Sequence, residues 1–223
     1  MVSPRASRAP RAPALPAGLA PGTVAGLVLA AGPGSRMGGP KALLRDATGE
    51  PWVRTRSQTL LDAGCSPVIA TVGAEAIQVR SSLQPGVNAV HVREWKTGMG
   101  ASVRAALASL ASAGEELQAV LVSVVDTPGL TREVAAAVIE AAATAARGRS
   151  LHAALVQAVY AGTPGHPVLI GRNHWLGVHL DAVGDVGARG YLEHEKVRRV
   201  EVGDLGDGRD VDTPEDLEAS RRP

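Results

Sequence analysis

Short apolar segments alternate with segments of helical periodicity through the middle of the chain. Four apolar segments predict buried β-strands, and they span residues 24–30, 67–73, 87–92 and 117–125. In four other segments apolar residues recur every three or four positions, which predicts helices over residues 52–64, 74–83, 100–114 and 131–146. Strands that alternate with helices indicate right-handed βαβ units. We therefore predict an α/β fold, a single three-layer α/β/α domain around a mostly parallel, Rossmann-like sheet.

The chain is less regular after residue 150. An apolar segment at 151–160 is followed by a Gly/His/Pro turn and by two short helical patterns. We expect this region to add a small subdomain to the same sheet. Near the C-terminus, Pro214 follows Asp212 and Thr213. Proline is favoured at the first position of a helix, so Asp212 or Thr213 is a candidate for the N-cap of a last helix.

Residues 1–22 differ in composition from the rest of the chain. They are rich in Pro, Ala and Arg and contain no apolar segment that could form the core of a signal peptide. We predict a disordered tail at 1–22 and a folded body at 23–223. Three of the 23 basic residues and none of the 22 acidic ones lie in the tail, so the body has a net charge of −2. A nearly neutral body is a poor candidate for binding nucleic acid.

Two further features bear on the location of the protein. No segment approaches the roughly 20 uninterrupted apolar residues of a membrane span. Cys65 is the single cysteine, so no intrachain disulfide can form, and we expect this residue to have a packing role. The sequence therefore predicts a protein of the reducing cytoplasm with neither a membrane nor a nucleic-acid partner.

A glycine-rich loop follows the first predicted strand. The segment LVLAAGPGSRMGGPKALL, residues 27–44, contains four glycines together with Arg36 and Lys41. Glycines allow positive φ and a close approach of backbone N–H groups to an anion. Lys41 is one of only three lysines, against twenty arginines. Because ligands bind at the carboxyl ends of such strands, the loop predicts a phosphate site. A plain Gly-rich turn with two solvated cations is the less favoured alternative.

Two common phosphate loops do not fit this spacing. A Walker A loop needs a hydroxyl residue directly after its lysine, but Ala42 follows Lys41. A dinucleotide loop needs G-x-G-x-x-G, whereas Gly32, Gly34 and Gly38 are spaced as G-x-G-x-x-x-G. This mismatch disfavours a NAD-dependent oxidoreductase, and the lack of a G-x-S-x-G segment disfavours a serine hydrolase.

The loop closely resembles the signature L-A-[AG]-G-x-[GS]-x-R-[ML]-G-x-x-K of nucleoside triphosphate transferases, and within them the branch that contains molybdenum cofactor cytidylyltransferase. Further segments match that family in the same order, at residues 97–107, 124–131, 164–172, 184–189 and 210–217. The resemblance covers residues 24–219. It implies a fold of the nucleotide-diphospho-sugar transferase type. It also implies that an acceptor phosphate attacks the α-phosphorus of a nucleoside triphosphate and that pyrophosphate leaves.

The resemblance also implies which residues bind the nucleotide. Arg36 and Lys41 are the expected catalytic residues, which hold the triphosphate and stabilise charge on the departing pyrophosphate. Nucleotide contacts are expected at the first loop and at a later helix start, from Leu29, Ala30, Ala31, Gly32, Gly34, Ser35, Gly98, Gly100 and Ser102. The free N–H groups of a helix start suit such contacts. For Ser102, simple capping is an equally good explanation.

The resemblance makes Asp126 the expected Mg²⁺ ligand, in a motif written G-D-x-P in which Val125 replaces the glycine. A carboxylate at the end of a buried apolar run is costly without a cation. The alternative is that Asp126 is a helix cap or a turn residue ahead of Pro128. Because Mg²⁺ is commonly held by one or two carboxylates plus substrate phosphates, we look for a second acid. Asp210 and Asp212 are the candidates, with Asp210 preferred because Asp212 is also a candidate cap.

Three further residues are expected to face the acceptor, namely His166, Asp185 and Arg189. A structural role for His166, and a mutual ion pair between Asp185 and Arg189, are the alternatives. The Ala31 and Pro40 positions look more like the cytidylyl than the guanylyl branch, so CTP is the favoured donor. Molybdopterin is the favoured acceptor, and a sugar phosphate or another cofactor phosphate is the alternative. A non-catalytic nucleotide-binding accessory protein would not need the three acids.

Overall fold

The computed structural model describes residues 15–16 and 18–220. Within these residues seven strands form one sheet. The strands are β1 (Val24–Leu29), β2 (Val68–Val72), β3 (Val87–His91), β4 (Ala119–Val124), β5 (Leu155–Tyr160), β6 (Thr163–Gly171) and β7 (Arg198–Glu201). The α-helices are α1 (Trp52–Asp62), α2 (Ala76–Ser81), α3 (Met99–Ala111), α4 (Arg132–Ala146), α5 (Trp175–Asp181), α6 (Arg189–His194) and α7 (Pro214–Ser220).

The order of the strands places β1 in the interior of the sheet. The order is β3-β2-β1-β4-β6-β5-β7. Every neighbouring pair is parallel except β4 with β6 and β5 with β6, so β6 alone among the described strands runs against the others. The predicted mostly parallel sheet is therefore confirmed.

Successive side chains of β1 enter different apolar layers. Val28 belongs to a buried cluster that includes Leu60 of α1. Its neighbour Leu27 belongs to a second cluster that includes Leu107 of α3. Side chains on a strand alternate between the two faces of the sheet, so a continuous apolar run fills both layers at once. Helices thus cover both faces, and the predicted three-layer α/β/α arrangement is confirmed.

Two strands were not predicted from the sequence. Residues 155–201 add β5, β6 and β7 to the one sheet. This region was expected to join the sheet, but β6 and β7 were not predicted as strands. In β6, Gly165 and Pro167 interrupt the apolar pattern. In β7, Arg198 and Arg199 are both exposed, since this strand lies at the edge of the sheet, where charged side chains are favoured.

Order in the chain begins before residue 23. Leu15 and Leu19 pack against the buried cluster that contains Leu60, and the N–H of Leu19 donates to Pro16 O at 3.1 Å. The prediction of a disordered tail is therefore wrong for this part of residues 1–22, because its leucines bury apolar surface. Residues 1–14 and 17, which the same prediction included, lie outside the described residues.

Cys65 is a packing residue, as the sequence suggested. Its side chain is 2% exposed, and burial raises the pKa of the thiol to about 12. At such a pKa the reactive thiolate is scarce at neutral pH. Along residues 15–16 and 18–220, no helix combines the length and the apolar character needed to cross a membrane.

The packing of α1 on the sheet generates a stability prediction. Leu60 is 0% exposed, so Leu60→Ala leaves a cavity and is expected to lower the free energy of unfolding by about 2–5 kcal/mol. Ile77 on α2 is 81% exposed, and Ile77→Ala is the matched control, expected to change the free energy by about 0.5 kcal/mol or less. Urea denaturation followed by circular dichroism measures both. Equal losses for the two variants would contradict the described packing.

Candidate active site

The site forms where β1 and β4 end side by side. These parallel strands are paired up to Leu29 and Val124, and the N–H of Val125 donates to Leu29 O at 3.1 Å. The chain leaves β1 toward β2 on one side, while β4 lies on the other side, so this is a switch point of the sheet. Ligands of open parallel sheets bind outside the carboxyl ends of the strands at such a point.

The glycine loop after β1 turns through a short 3₁₀ segment at Ser35–Met37. Gly34 precedes this segment with φ 57° and ψ 42°, in the left-handed region. A Cβ added at Gly34 would lie 2.0 Å from the carbonyl oxygen of Gly39. Both the backbone conformation and the lack of space therefore require glycine at this position.

The start of the loop is held in place by the end of β2. The N–H of Ala30 donates to Thr71 Oγ1 at 3.0 Å, and Thr71 is fully buried. Ala31 O accepts a hydrogen bond from the N–H of Ala74 at 3.0 Å. These bonds fix the backbone that leads from the sheet into the glycine loop.

A cavity of about 860 Å³ opens at this edge of the sheet. Its volume is within the range of pockets that take small organic ligands. It is lined by Leu29, Ala30, Ala31, Gly32, Pro33, Gly34, Ser35, Arg36, Lys41, Trp95, Lys96, Gly98, Met99, Ser102, Val124, Val125, Asp126, Asp185 and Asp212. The structure thus brings both predicted catalytic cations, two of the predicted metal ligands and eight of the nine predicted nucleotide contacts to one cavity.

Lys41 joins two of the acids. Its Nζ lies 2.7 Å from Asp126 Oδ2 and 2.5 Å from Asp212 Oδ1. Arg36 Nη2 lies 3.3 Å from the other carboxylate oxygen of Asp212. Burial by itself would lower the pKa of Lys41, but the hydrogen bonds and charges of the two carboxylates raise it above its ordinary value. The lysine is therefore protonated at neutral pH.

Backbone and capping hydrogen bonds hold the segment that carries Asp210 and Asp212 beside Asp126. The N–H of Val211 donates to Asp126 O at 2.9 Å. Thr213 is the N-cap of α7, since its Oγ1 accepts from the N–H of Asp216 while Asp216 Oδ2 accepts from the N–H of Thr213. Of the two predicted N-cap residues, Thr213 is therefore the one that caps the helix. The carboxylate of Asp212 instead forms ion pairs with Lys41 and Arg36.

Asp210 was the preferred partner of Asp126 as a metal ligand, but Asp212 is the acid that lines the cavity. The Asp210 side chain is exposed, yet partial desolvation, followed by the negative charges of Asp126 and Asp212, raises its pKa to about 6. It therefore lies near the other two acids. Among the described residues no three His, Cys, Asp or Glu side chains are grouped to hold a metal ion. A pair of carboxylates that converge on one cation is still the donor set that Mg²⁺ uses together with substrate phosphates.

Arg56 of α1 supports the segment that carries Asp126. Its guanidinium donates through Nη1 to the carbonyl oxygens of Thr127 at 3.0 Å, Pro128 at 2.6 Å and Leu130 at 3.4 Å. The residue is only 8% exposed. A buried cation with three backbone acceptors holds this loop against α1, so Arg56 is a positioning residue for Asp126.

The three predicted acceptor residues lie in different settings. Asp185 lines the cavity, whereas His166 and Arg189 are not part of its wall. His166 Nδ1 lies 3.3 Å from Val122 O, and burial, assisted by the positive charge of Arg189, lowers the pKa of His166 in spite of Asp126. No ion pair joins Asp185 and Arg189 in the part of the chain that the structure describes.

The start of α3 brings two of its three predicted contacts to the cavity. Gly98 and Ser102 line it, but Gly100 does not. The N–H of Gly100 donates to Gly184 O at 2.8 Å, and a Cβ at Gly100 would lie 2.5 Å from Ala182 O. The expected free N–H of Gly100 is therefore committed to the chain itself, and this glycine permits close packing.

Sequence reasoning missed four residues that shape the site: Thr71, Trp95, Lys96 and Arg56. Trp95 and Lys96 line the cavity, and Lys96 Nζ lies 5.5 Å from the centroid of the Trp95 ring. The scarcity of lysine and tryptophan in this chain was the signal that could have found these two. Nothing in the local pattern marks Thr71 and Arg56, because their partners are more than 40 residues away.

The contacts of Arg56 generate a test. Arg56→Met removes the donor of three carbonyl oxygens, two of them in buried hydrogen bonds, and each buried acceptor left unpaired costs about 1–3 kcal/mol. We expect a lower free energy of unfolding of that order or more in urea denaturation. Arg54→Met on the same helix is the control, because Arg54 is exposed and forms one surface ion pair with Glu50. That change is expected to cost about 0.5 kcal/mol or less. Similar losses for both variants would argue against the supporting role.

Comparison with known proteins places this site in a family. Residues 26–200 match the model of the MobA-like NTP transferase domain. The nicotine blue oxidoreductase of Paenarthrobacter nicotinovorans is 32% identical over 199 residues, which cover 87% of this chain and 94% of that protein. The match with the family model begins within β1 and ends within β7, and it includes the glycine loop and Asp126.

Solved structures share the fold. Rv0371c from Mycobacterium tuberculosis H37Rv in complex with manganese has a TM-score of 0.66 at 24% identity, over 89% of this chain and 98% of that one. Molybdopterin-guanine dinucleotide biosynthesis protein A from Archaeoglobus fulgidus has a TM-score of 0.60 at 17% identity, over 89% and 96%. The predicted family is confirmed: the chain belongs to the MobA-like NTP transferase domain family, a family of nucleotidyltransferase enzymes.

Proposed function

We propose that the protein transfers a nucleotidyl group, in the first place CMP from CTP, to the phosphate of a small acceptor and releases pyrophosphate. The observation that carries the proposal is the convergence of Lys41, Asp126 and Asp212 beside the glycine loop. Nucleotidyl transfer needs charge neutralisation and in-line positioning more than a protein nucleophile. A cluster of two cations and two carboxylates beside a phosphate-binding loop supplies these.

The glycine loop and its cations bind the triphosphate. The backbone of Gly32, Gly34 and Ser35 surrounds the phosphates, and Arg36 and Lys41 stabilise the charge that develops on the departing pyrophosphate. Gly98 and Ser102, at the start of α3, contact the nucleoside. Lys41 is held between the two carboxylates, which keeps its ammonium group charged and close to the place where the phosphates bind.

Asp126 and Asp212 are the proposed ligands of a magnesium ion, with Asp210 nearby. A bound divalent cation would supply neutralisation of phosphate charge that side-chain cations alone give less effectively. The support is the pair of carboxylates that already converge on one cation. The solved complex of Rv0371c with manganese shows a divalent metal in a protein of this fold.

The acceptor is the least constrained part of the proposal. Molybdopterin is the first candidate, because the chain resembles the molybdenum cofactor branch and because a molybdopterin-guanine dinucleotide biosynthesis protein shares the fold. Asp185 lies on the cavity wall, whereas His166 and Arg189 are not part of it, so their proposed contacts with the acceptor lie outside the cavity. A sugar phosphate and another cofactor phosphate are the other acceptors to test. A cytoplasmic location, with the free thiol of Cys65, completes the proposal.

Pyrophosphate release with Mg²⁺ and molybdopterin tests the reaction. We expect CTP to be preferred over GTP, ATP and UTP. Asp126→Asn keeps the shape of the side chain but removes its charge, and is expected to lower kcat/KM at least about 100-fold. Asp62→Asn, at an exposed position of α1, is the control and should leave the rate unchanged. Equal rates for the wild type and Asp126→Asn would contradict the role of Asp126.

The comparison with nicotine blue oxidoreductase supports a second candidate function, an oxidoreductase reaction, for which we take a nicotinamide cofactor as the hydride donor to be tested. In that reaction a hydride leaves the reduced cofactor, which becomes oxidised, and the substrate takes up the hydride and a proton. The glycine loop would then hold the phosphates of the cofactor. The missing G-x-G-x-x-G spacing disfavours this candidate.

The two functions differ in what is consumed. We expect pyrophosphate to be released from CTP, and no loss of reduced nicotinamide absorbance when NADH or NADPH is supplied with nicotine blue. The Asp126→Asn variant separates the chemistries further, because a hydride transfer has no need of a metal-binding carboxylate. Oxidation of NADH or NADPH by both the wild type and Asp126→Asn, without pyrophosphate release, would establish the second function instead.

A further inference from the structure

Trp95 is the one aromatic side chain among the described residues that line the cavity. The chain has only five aromatic residues, and the other two tryptophans, Trp52 and Trp175, are 2% and 5% exposed. Trp95 is partly buried. A large planar side chain at the wall of the proposed phosphate-binding cavity presents apolar surface that the triphosphate itself does not need.

The indole of Trp95 is held in position by apolar packing. Trp95 packs against a small buried cluster of Ala31, Val92 and Ala101. A Cβ added at Gly73 would lie 2.6 Å from Trp95 Cβ and 2.7 Å from Ala31 O. The Cβ of Trp95 therefore packs against Gly73, close to the start of the glycine loop at Ala31. A ring held in this way is organised before any ligand arrives.

One face of the ring is covered by Lys96. Its Nζ lies 5.5 Å from the ring centroid, so an ammonium group lies over the indole. Cations and planar rings are both attracted to the face of an indole. Lys96 is exposed and lines the cavity as well, so it is free to move aside when a planar group enters.

We propose that Trp95 is the stacking surface for the base of the bound nucleotide, and that the base replaces Lys96 over its ring. The inference rests on the proposed function, since it concerns the nucleoside part of the same donor. Trp95 lies beside Ala31, at the start of the glycine loop, and near Gly98 and Ser102, which are the proposed nucleoside contacts. A base that stacks on Trp95 therefore leaves the phosphates within reach of the loop.

Stacking has a consequence for specificity. Every base has a π-face, so an aromatic surface adds affinity for all four bases and discriminates little between them. We therefore expect Trp95 to contribute to the binding of any nucleoside triphosphate. The choice of CTP over other donors then depends on hydrogen bonds made elsewhere in the cavity.

The competing explanation is that Trp95 only supports the glycine loop through Ala31. Inorganic tripolyphosphate separates the two explanations because it has phosphates but no base. A supporting role predicts that loss of the indole weakens tripolyphosphate and CTP equally. A stacking role predicts that only CTP is weakened.

Titration calorimetry with Mg²⁺ measures both ligands on the wild type, Trp95→Leu and Trp95→Phe. We expect Trp95→Leu to raise the Kd of CTP about 10-fold or more, from the usual contribution of base stacking, and to leave tripolyphosphate within about twofold. Trp95→Phe should restore most of the CTP affinity. CTP should also quench the tryptophan fluorescence of the wild type but not that of Trp95→Phe, because Trp52 and Trp175 are buried.

The results that overturn the proposal are distinct from those that overturn the reaction. Equal weakening of both ligands, or no weakening of either, would exclude Trp95 as a stacking surface. A wild type that binds tripolyphosphate but no nucleoside triphosphate would also exclude it. A wild type that binds CTP through Trp95 but never releases pyrophosphate would exclude the transferase reaction and leave the stacking surface in place.

Discussion

Lys41 connects three parts of the chain that are remote in sequence. Its ammonium group lies between Asp126, 85 residues away, and Asp212, 171 residues away. Two carboxylates that approach one another at the edge of a sheet repel each other unless a cation lies between them. Lysine suits this place because it is a compact charge on a flexible stem, whereas the planar fork of arginine favours flat, bidentate partners. The cavity owes the shape of one wall to this contact.

The groups around Lys41 are held by elements that take no part in the chemistry. Thr71 fixes the backbone before the glycine loop, and Arg56 fixes the loop after Asp126. Both residues are buried, and both bind backbone atoms of the site segments. Binding sites need such support, because a charged side chain on an unsupported loop loses the geometry that makes it useful. The sheet and the two buried polar residues together hold the backbone of the site loops in one conformation.

Members of one fold differ in chemistry. A protein that is 32% identical to this chain is an oxidoreductase, while the family is defined by nucleotidyl transfer. In this chain a glycine loop lies at the switch point of a mostly parallel sheet, a place that suits any ligand with phosphates. In the proposed function, the acids Asp126 and Asp212 beside Lys41 are what favour transfer. Function therefore depends on the side chains around the loop more than on the fold.

The sequence by itself determined the order of strands and helices up to residue 146, the glycine loop and the chemical types of its charged residues, because periodicity and loop composition are local properties. Only the tertiary structure decided that Thr213 caps the last helix and that Asp212, not Asp210, reaches Lys41. It also decided that Gly100 packs against Ala182 and that β6 joins the sheet. The places of Asp212, Gly100 and β6 depend on contacts between segments far apart in the chain, whereas the cap is a local bond between Thr213 and Asp216. No local pattern records which of two neighbouring acids will point into a cavity.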